Sequence, residues 1–154
     1  MASITVPKED MLKQKGVKFP PSPWSTIDQD RIDAFADCTE DHQFIHVDQA
    51  RAAQTPFGGT IAHGFLTLSM LVKMSEEHGV FPEGMVMGIN YGFDKVRFLA
   101  PVRAGKRVRL HTEILDVTQK DDKRFLIKSS VTVEIEGEDT PALAAEWLSM
   151  LYSA

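Results

Sequence analysis

What this chain has little of narrows its chemistry before any motif is read. Cysteine occurs once, at Cys38, so no internal disulfide can form, which suits a reducing cytoplasm. No run of about 18 apolar residues is present, so no helix of ordinary spanning length is expected and no membrane partner. The opening MASITVPKEDMLKQKG mixes acids with bases and has no apolar stretch of signal-peptide type. Positive charge is short as well. With 17 Lys and Arg against 22 Asp and Glu, the net charge is −5, a poor basis for nucleic-acid binding. Neither common Gly-rich phosphate loop is found, nor His and Cys at zinc spacing, so neither a cofactor nor a metal is expected.

What is present reads as one domain of 154 residues. Residues 1–26, with the proline-rich FPPSPW, predict an irregular N-terminal arm, and residues 27–154 a single domain. Asp28 is placed to cap a short helix that runs from Gln29 to about Cys38, with Ile32, Phe35 and Ala36 on one face. One helical turn is expected around Asp48–Ala53. The segment from Thr60 to His78 has almost no polar side, predicting a helix covered nearly all round and stopped by Gly79. After Gly84 the period becomes two. Phe125, Ile127, Ser129, Val131, Val133 and Ile135 alternate with polar residues, which is the pattern of a half-buried strand. Met85–Leu99 and Lys106–Thr118 slip parity midway, as a β-bulge requires, and Ala142–Tyr152 is a fourth strand. The fold class is therefore α+β, a curved antiparallel sheet against one helix.

One segment, TEDHQFIHVD (Thr39–Asp48), mixes ionisable groups with Phe44 and Ile45. Asp41 and His46 stand five residues apart. A carboxylate and an imidazole sharing a water can take a proton from it and deliver one elsewhere. His suits this because it titrates near neutrality. Such pairs also occur as a turn cap beside a surface histidine. Phe44 and Ile45 would tether the loop to the core. Further on, PFGGTIAHG (Pro56–Gly64) brings a helix start into sequence reach, where the Gly64 N–H lacks an intrahelical acceptor and can meet a developing oxyanion. Gly64 equally permits close packing. His63 reads as a local hydrogen-bonding or packing residue beside the substrate, not as a catalyst.

Together, FADCTEDHQFIHVDQARAA and PFGGTIAHGFLTLSML resemble the hydratase-2 motif of MaoC-like (R)-specific enoyl-CoA hydratases and dehydratases, nearest to the nodulation protein N-like branch. The likeness continues through INYGFDKVRFLAPVRAG (Ile89–Gly105). It implies a hot-dog fold, in which a curved antiparallel sheet wraps a long central helix, usually as a homodimer. It also implies reversible hydration of trans-2-enoyl thioesters to the (R)-3-hydroxyacyl product. By that resemblance Asp41 and His46 are the catalytic pair, Gly64 holds the thioester carbonyl, and the acyl group is carried by coenzyme A or acyl-carrier protein. The wider family writes Gly at position 40 and Asn-Pro at 43–44, where this chain has Glu40, Gln43 and Phe44. Gln43 keeps an amide able to orient its neighbours. Lys95, Arg97, Arg103, Lys106, Arg107 and Arg109, with only Asp94 among them, form a basic stretch that could meet carrier phosphates or simply face solvent. A hot-dog thioesterase and a non-catalytic acyl-thioester-binding subunit are the alternatives, since fold does not settle chemistry.

Overall fold

The computed structural model describes residues 3–154. Alternation on the long strands dictates the architecture. Strands β2 (Ser25–Ile27), β4 (Met85–Phe98), β5 (Lys106–Asp121), β6 (Arg124–Ile135) and β7 (Leu143–Ser153) form one antiparallel sheet in the order β2-β5-β6-β7-β4. On β6, Phe125, Ile127, Val131, Val133 and Ile135 are all buried on one face. Helix α4 (Gly64–Met74) lies on the Val131–Ile135 end of that face, where Leu66, Met70, Leu71 and Met74 pack with Val108, Leu110, Val133 and Leu143. Each such side chain removed from water contributes about 1.5–3 kcal/mol. The slip expected after Phe93 is a register shift of β4 on β7 between Phe93 and Lys95, and the slip in β5 is a shift on β6 between Ile114 and Asp116; β4 also shifts between Met85 and Met87 and between Asn90 and Gly92, where the alternation gave no sign. These bulges bend the sheet over the helix.

Three expectations are corrected. First, α4 is shorter than the apolar run. Thr60–Ala62 is instead paired with Val102–Ala104, through Ala62 N–H to the Val102 carbonyl (2.7 Å) and Ala104 N–H to the Thr60 carbonyl (3.0 Å). Gly79 does not end the helix. The cap is Ser75, and Gly79 makes room for a ring, because a Cβ there would sit 2.2 Å from Phe81 Cζ. Second, α4 is not covered all round, since Phe65 is 68% exposed and Val72 53%. The sheet covers one side of an apolar cylinder and leaves the other open.

Third, residues 3–26 are not merely irregular. Strand β1 (Ile4–Val6) pairs in parallel with β3 (Val80–Pro82), and Lys8–Gln14 form a 3-10 helix. Met11 and Phe19 pack with Ile114, Phe125, Ile127 and Leu151, covering the part of the sheet that α4 does not reach. The proline stretch then follows the edge of β5. Ser22 makes the bonds its proline neighbours cannot: its N–H donates to the Leu110 carbonyl (2.9 Å), and its hydroxyl accepts from Leu110 N–H (2.8 Å).

Candidate active site

Helix α1 (Gln29–Thr39) starts as its sequence predicts, with the Asp28 carboxylate accepting from Arg31 N–H at 2.9 Å and Ile32 and Ala36 anchored in the core. It ends at Glu40, which has φ +61° and ψ +22° and is the one non-glycine residue with positive φ among those described. This left-handed cap turns the chain into Asp41, and the Glu40 side chain faces solvent. Two short helices follow, α2 (Phe44–Val47) and α3 (Gln49–Ala52), of which only the second was expected. Phe44 and Ile45 are half-buried, as a tether requires. The tie is also made by the backbone, because Ile61 N–H donates to the Ile45 carbonyl at 3.0 Å.

His46, on α2, is 6% exposed. Its Nδ1 lies 2.7 Å from the Ile61 carbonyl. A carbonyl only accepts, so Nδ1 carries hydrogen and the neutral ring keeps its lone pair on Nε2. Burial pushes the His46 pKa below its ordinary value. The bond to Ile61 and the charge of Asp41 oppose that shift, and His63 adds to it. The His46 carbonyl accepts from Gln29 Nε2 at 2.8 Å, and Gln29 Oε1 in turn accepts from the Thr60 hydroxyl at 2.6 Å. Gln49 Oε1 accepts from Thr60 N–H at 3.0 Å. Residues far apart in sequence thus lock the backbone around the imidazole.

The structure brings Asp41, His46 and His63 together, with one donor atom of each within 4.8 Å of the others. The His46 and His63 rings stack with centroids 3.8 Å apart at 22°. His63 is 3% exposed, and its Nε2 donates to the Asp41 carbonyl at 3.0 Å, with Asp41 Oδ2 at 3.9 Å. His63 Nδ1 is buried without a partner among the described residues. His63 is therefore packed into the pair itself, closer than its reading as a neighbour implies. A carboxylate and two imidazoles are also a donor set that divalent metals accept, although no metal spacing marks it in the sequence. Gln43 acts through its backbone, whose N–H donates to Asp41 Oδ1 at 3.3 Å, while its side chain is exposed.

Beside the cluster, His46 and Gly64 line one cavity of about 310 Å³, walled mainly by apolar groups including Phe57, Ile61, Phe98 and Leu99. The Gly64 N–H opens α4 and has no hydrogen bond to the protein among the described residues. A Cβ on Gly64 would stand 3.1 Å from the Phe98 ring. Both readings of this glycine, free amide and close packing, therefore hold at once. Asp41 is 53% exposed at its side chain and is not among the residues that line this cavity.

The basic stretch is not an open patch. Arg109 bonds Glu134 (2.6 and 3.1 Å), Arg107 bonds Glu136, Lys106 lies 3.5 Å from Glu138 and Lys95 3.4 Å from Glu146. Arg97 turns onto the Val96 carbonyl (2.8 Å). Sequence reasoning missed Gln29, Gln49 and Thr60 in the site's framework. Nothing local signals them, because each acts across 11 to 31 residues.

Comparison with known proteins adds an independent line. Residues 11–136 match the MaoC like domain. The chain is 46% identical over 143 residues to nodulation protein N of Rhizobium leguminosarum bv. viciae, covering 92% of this chain and 89% of that one. It is 45% identical over 138 residues to 3-hydroxyacyl-thioester dehydratase Z of Mycobacterium tuberculosis, covering 89% and 90%. Among solved structures, the (R)-hydratase from A. caviae superposes with a TM-score of 0.69 at 25% identity, over 88% of this chain and 94% of that one. The sheet-and-helix arrangement is the hot-dog fold of these relatives.

Proposed function

The chain belongs to the MaoC-like domain family and is a hydro-lyase, and from that premise we propose that it is an (R)-specific enoyl-thioester hydratase. It adds water reversibly to trans-2-enoyl thioesters, with Asp41 and His46 as the catalytic pair. The observation that carries the reading is the buried His46, whose Nδ1–H is committed to the Ile61 carbonyl and whose Nε2 is left as a base in a cavity it shares with Gly64.

In this mechanism a water sits between the Asp41 carboxylate and His46 Nε2. The imidazole takes its proton as the oxygen bonds C3 of the enoyl group. The C2–C3 π electrons shift toward the thioester, and charge growing on the carbonyl oxygen is met by the Gly64 N–H at the positive end of α4. The proton then held by His46 passes to C2, so water is added without net proton change and no cofactor is consumed. Asp41 stabilises the imidazolium while it lasts. The acyl chain lies in the apolar cavity.

The exposed apolar surface supports a homodimer. Strand β4 is an edge strand, and Val86, Ile89 and Tyr91 on it are 68%, 44% and 59% exposed. Phe65 and Val72 of α4 extend that surface. No helix among the described residues is long and apolar enough to cross a membrane. The exposed thiol of Cys38 supports a reducing, cytoplasmic setting.

Loss of the 2-enoyl absorbance of crotonyl-CoA tests the reading. His46→Gln and Asp41→Asn are each expected to fold and to lose about 10²–10⁴-fold in kcat. Chiral analysis of the product is expected to give the (R)-alcohol. Thiol release from the wild-type protein would point instead to a thioesterase, and saturable binding without turnover to a binding subunit. Full activity in either variant overturns the catalytic pair.

A further inference from the structure

Lys95, Lys106, Arg107 and Arg109 each face a carboxylate, whereas Arg97 and Arg103 do not. The Arg103 side chain has no carboxylate partner and no hydrogen bond among the described residues. Its guanidinium lies over the backbone of Gly58, where a Cβ would fall 2.7 Å from Arg103 Nη2. Gly58 has φ +70°, so the absence of a side chain there serves both the turn and the approach of the arginine.

Beneath Arg103 is a second cavity of about 380 Å³, lined by Gln49, Gly58, Gly59, Thr60 and Arg103–Lys106. Several of its unpartnered polar groups are donors. The Gly59 N–H has no hydrogen bond to the protein among the described residues. Gln49 spends its Oε1 on Thr60, so its Nε2 amide remains, 3.1 Å from the point where a Gly59 Cβ would be. Lys106 stands at the rim. Glu138, 3.5 Å from Lys106 Nζ, does not line the cavity. A cavity with a guanidinium, an ammonium, an amide N–H₂ and a free backbone N–H, and no carboxylate in its wall, matches an anion with several acceptor oxygens.

Position ties this cavity to the reaction site. Thr60–Ala62 and Val102–Ala104 pair as two short antiparallel segments. One end of that pair, Ile61–Ala62 with Ala100–Val102, walls the His46 cavity. The other end, Gly58–Thr60 with Arg103–Lys106, walls the donor cavity. A thioester bound at His46 and Gly64 therefore has a donor-bearing cavity one strand-pair away.

We propose that the Arg103 cavity is a phosphate subsite that holds the carrier of the thioester, through a phosphate of coenzyme A or of a phosphopantetheine arm. The proposal rests on the hydratase reading and refines it. Arg103 acts in binding, not in chemistry, so its removal raises KM and leaves kcat nearly unchanged.

The test compares Arg103→Gln with wild type on crotonyl-CoA, crotonyl-phosphopantetheine and crotonyl-N-acetylcysteamine, the last of which has no phosphate. Lys120→Gln, an exposed lysine on β5, controls for net charge. Loss of one charge-assisted contact is expected to raise KM about tenfold for a phosphate-bearing substrate and to leave the N-acetylcysteamine thioester unaffected. A rise for both phosphate-bearing substrates assigns the phosphate next to pantetheine; a rise for coenzyme A alone assigns its nucleotide phosphates. Equal changes on all three substrates, no change on any, or the same change in Lys120→Gln overturns the proposal. Calorimetric titration with coenzyme A reads the site independently of turnover, and about tenfold weaker binding by Arg103→Gln is expected. Should wild type hydrate none of the thioesters, the hydratase reading fails, while equal binding of coenzyme A by both proteins would by itself defeat the subsite.

Discussion

The behaviour of His46 follows from where its first proton goes. With Nδ1–H given to the Ile61 carbonyl, protonating Nε2 places a full charge in a buried site stacked against a second imidazole. Burial is the largest cause of the lowered pKa. A base of this kind works only when neutral. The sign is then fixed: kcat/KM for hydration is flat above the ordinary value of 6.5 and falls as pH drops through a midpoint below it. A kcat/KM profile on crotonyl-CoA checks this, and an acid limb centred above 6.5 would contradict it. Glu40, at the same scale, occupies a left-handed backbone position that glycine adopts without strain. A side chain there costs about 1–2 kcal/mol, offset in part by the chain entropy that glycine adds to the unfolded state. Glu40→Gly is therefore expected to stabilise the fold by about 0.5–1 kcal/mol, seen as a higher denaturant midpoint at unchanged slope.

Elements legible in the sequence were those whose pattern is local. Strand β6 alternates and is buried as it alternates; the bulges in β4 and β5 leave their mark as parity slips; Asp28 caps α1 three residues before the amide that donates to it. The short pieces were not legible. Strands β1, β2 and β3 have three residues each, too few for any period to show, and exist because a distant strand or edge accepts their hydrogen bonds. The apolar run at Thr60–His78 misled because one pattern serves two structures, a paired segment at Thr60–Ala62 and a helix from Gly64. The site divides in the same way. Asp41, His46 and Gly64 were readable as motif, whereas Gln29 reaches His46 across 17 residues with no local sign. Ser22 shows how much a non-local contact can matter. Its hydroxyl is the acceptor for the buried Leu110 N–H in a stretch whose prolines supply no N–H. Ser22→Ala leaves that amide unpaired and is expected to cost about 1–3 kcal/mol. Thermal unfolding checks it; an unchanged Tm would mean that the β5 edge finds another acceptor.

At the scale of the molecule, the least explained surface is also the most apolar. Strand β4 is exposed along nearly its whole length, and its outer edge is unpaired by any described strand. A long apolar edge of this kind invites pairing with another chain unless something covers it. Phe65 on α4 and Phe98 at the end of β4 are exposed side by side, their rings 6.0 Å apart. Phe98 also walls the His46 cavity. A second copy laid along β4 and α4 would therefore bury the apolar strip and close the cavity against water in one step. This argument couples assembly to turnover. Ile89→Lys puts a charge in the middle of β4, 44% exposed in the single chain, and leaves the buried core untouched. Sedimentation is expected to give twice the 17.2 kDa chain mass for wild type and the single mass for the variant. Circular dichroism should be unchanged, and hydratase activity should fall with the dimer fraction. A monomeric variant with full activity would break the coupling, and a monomeric wild-type protein would remove the dimer itself.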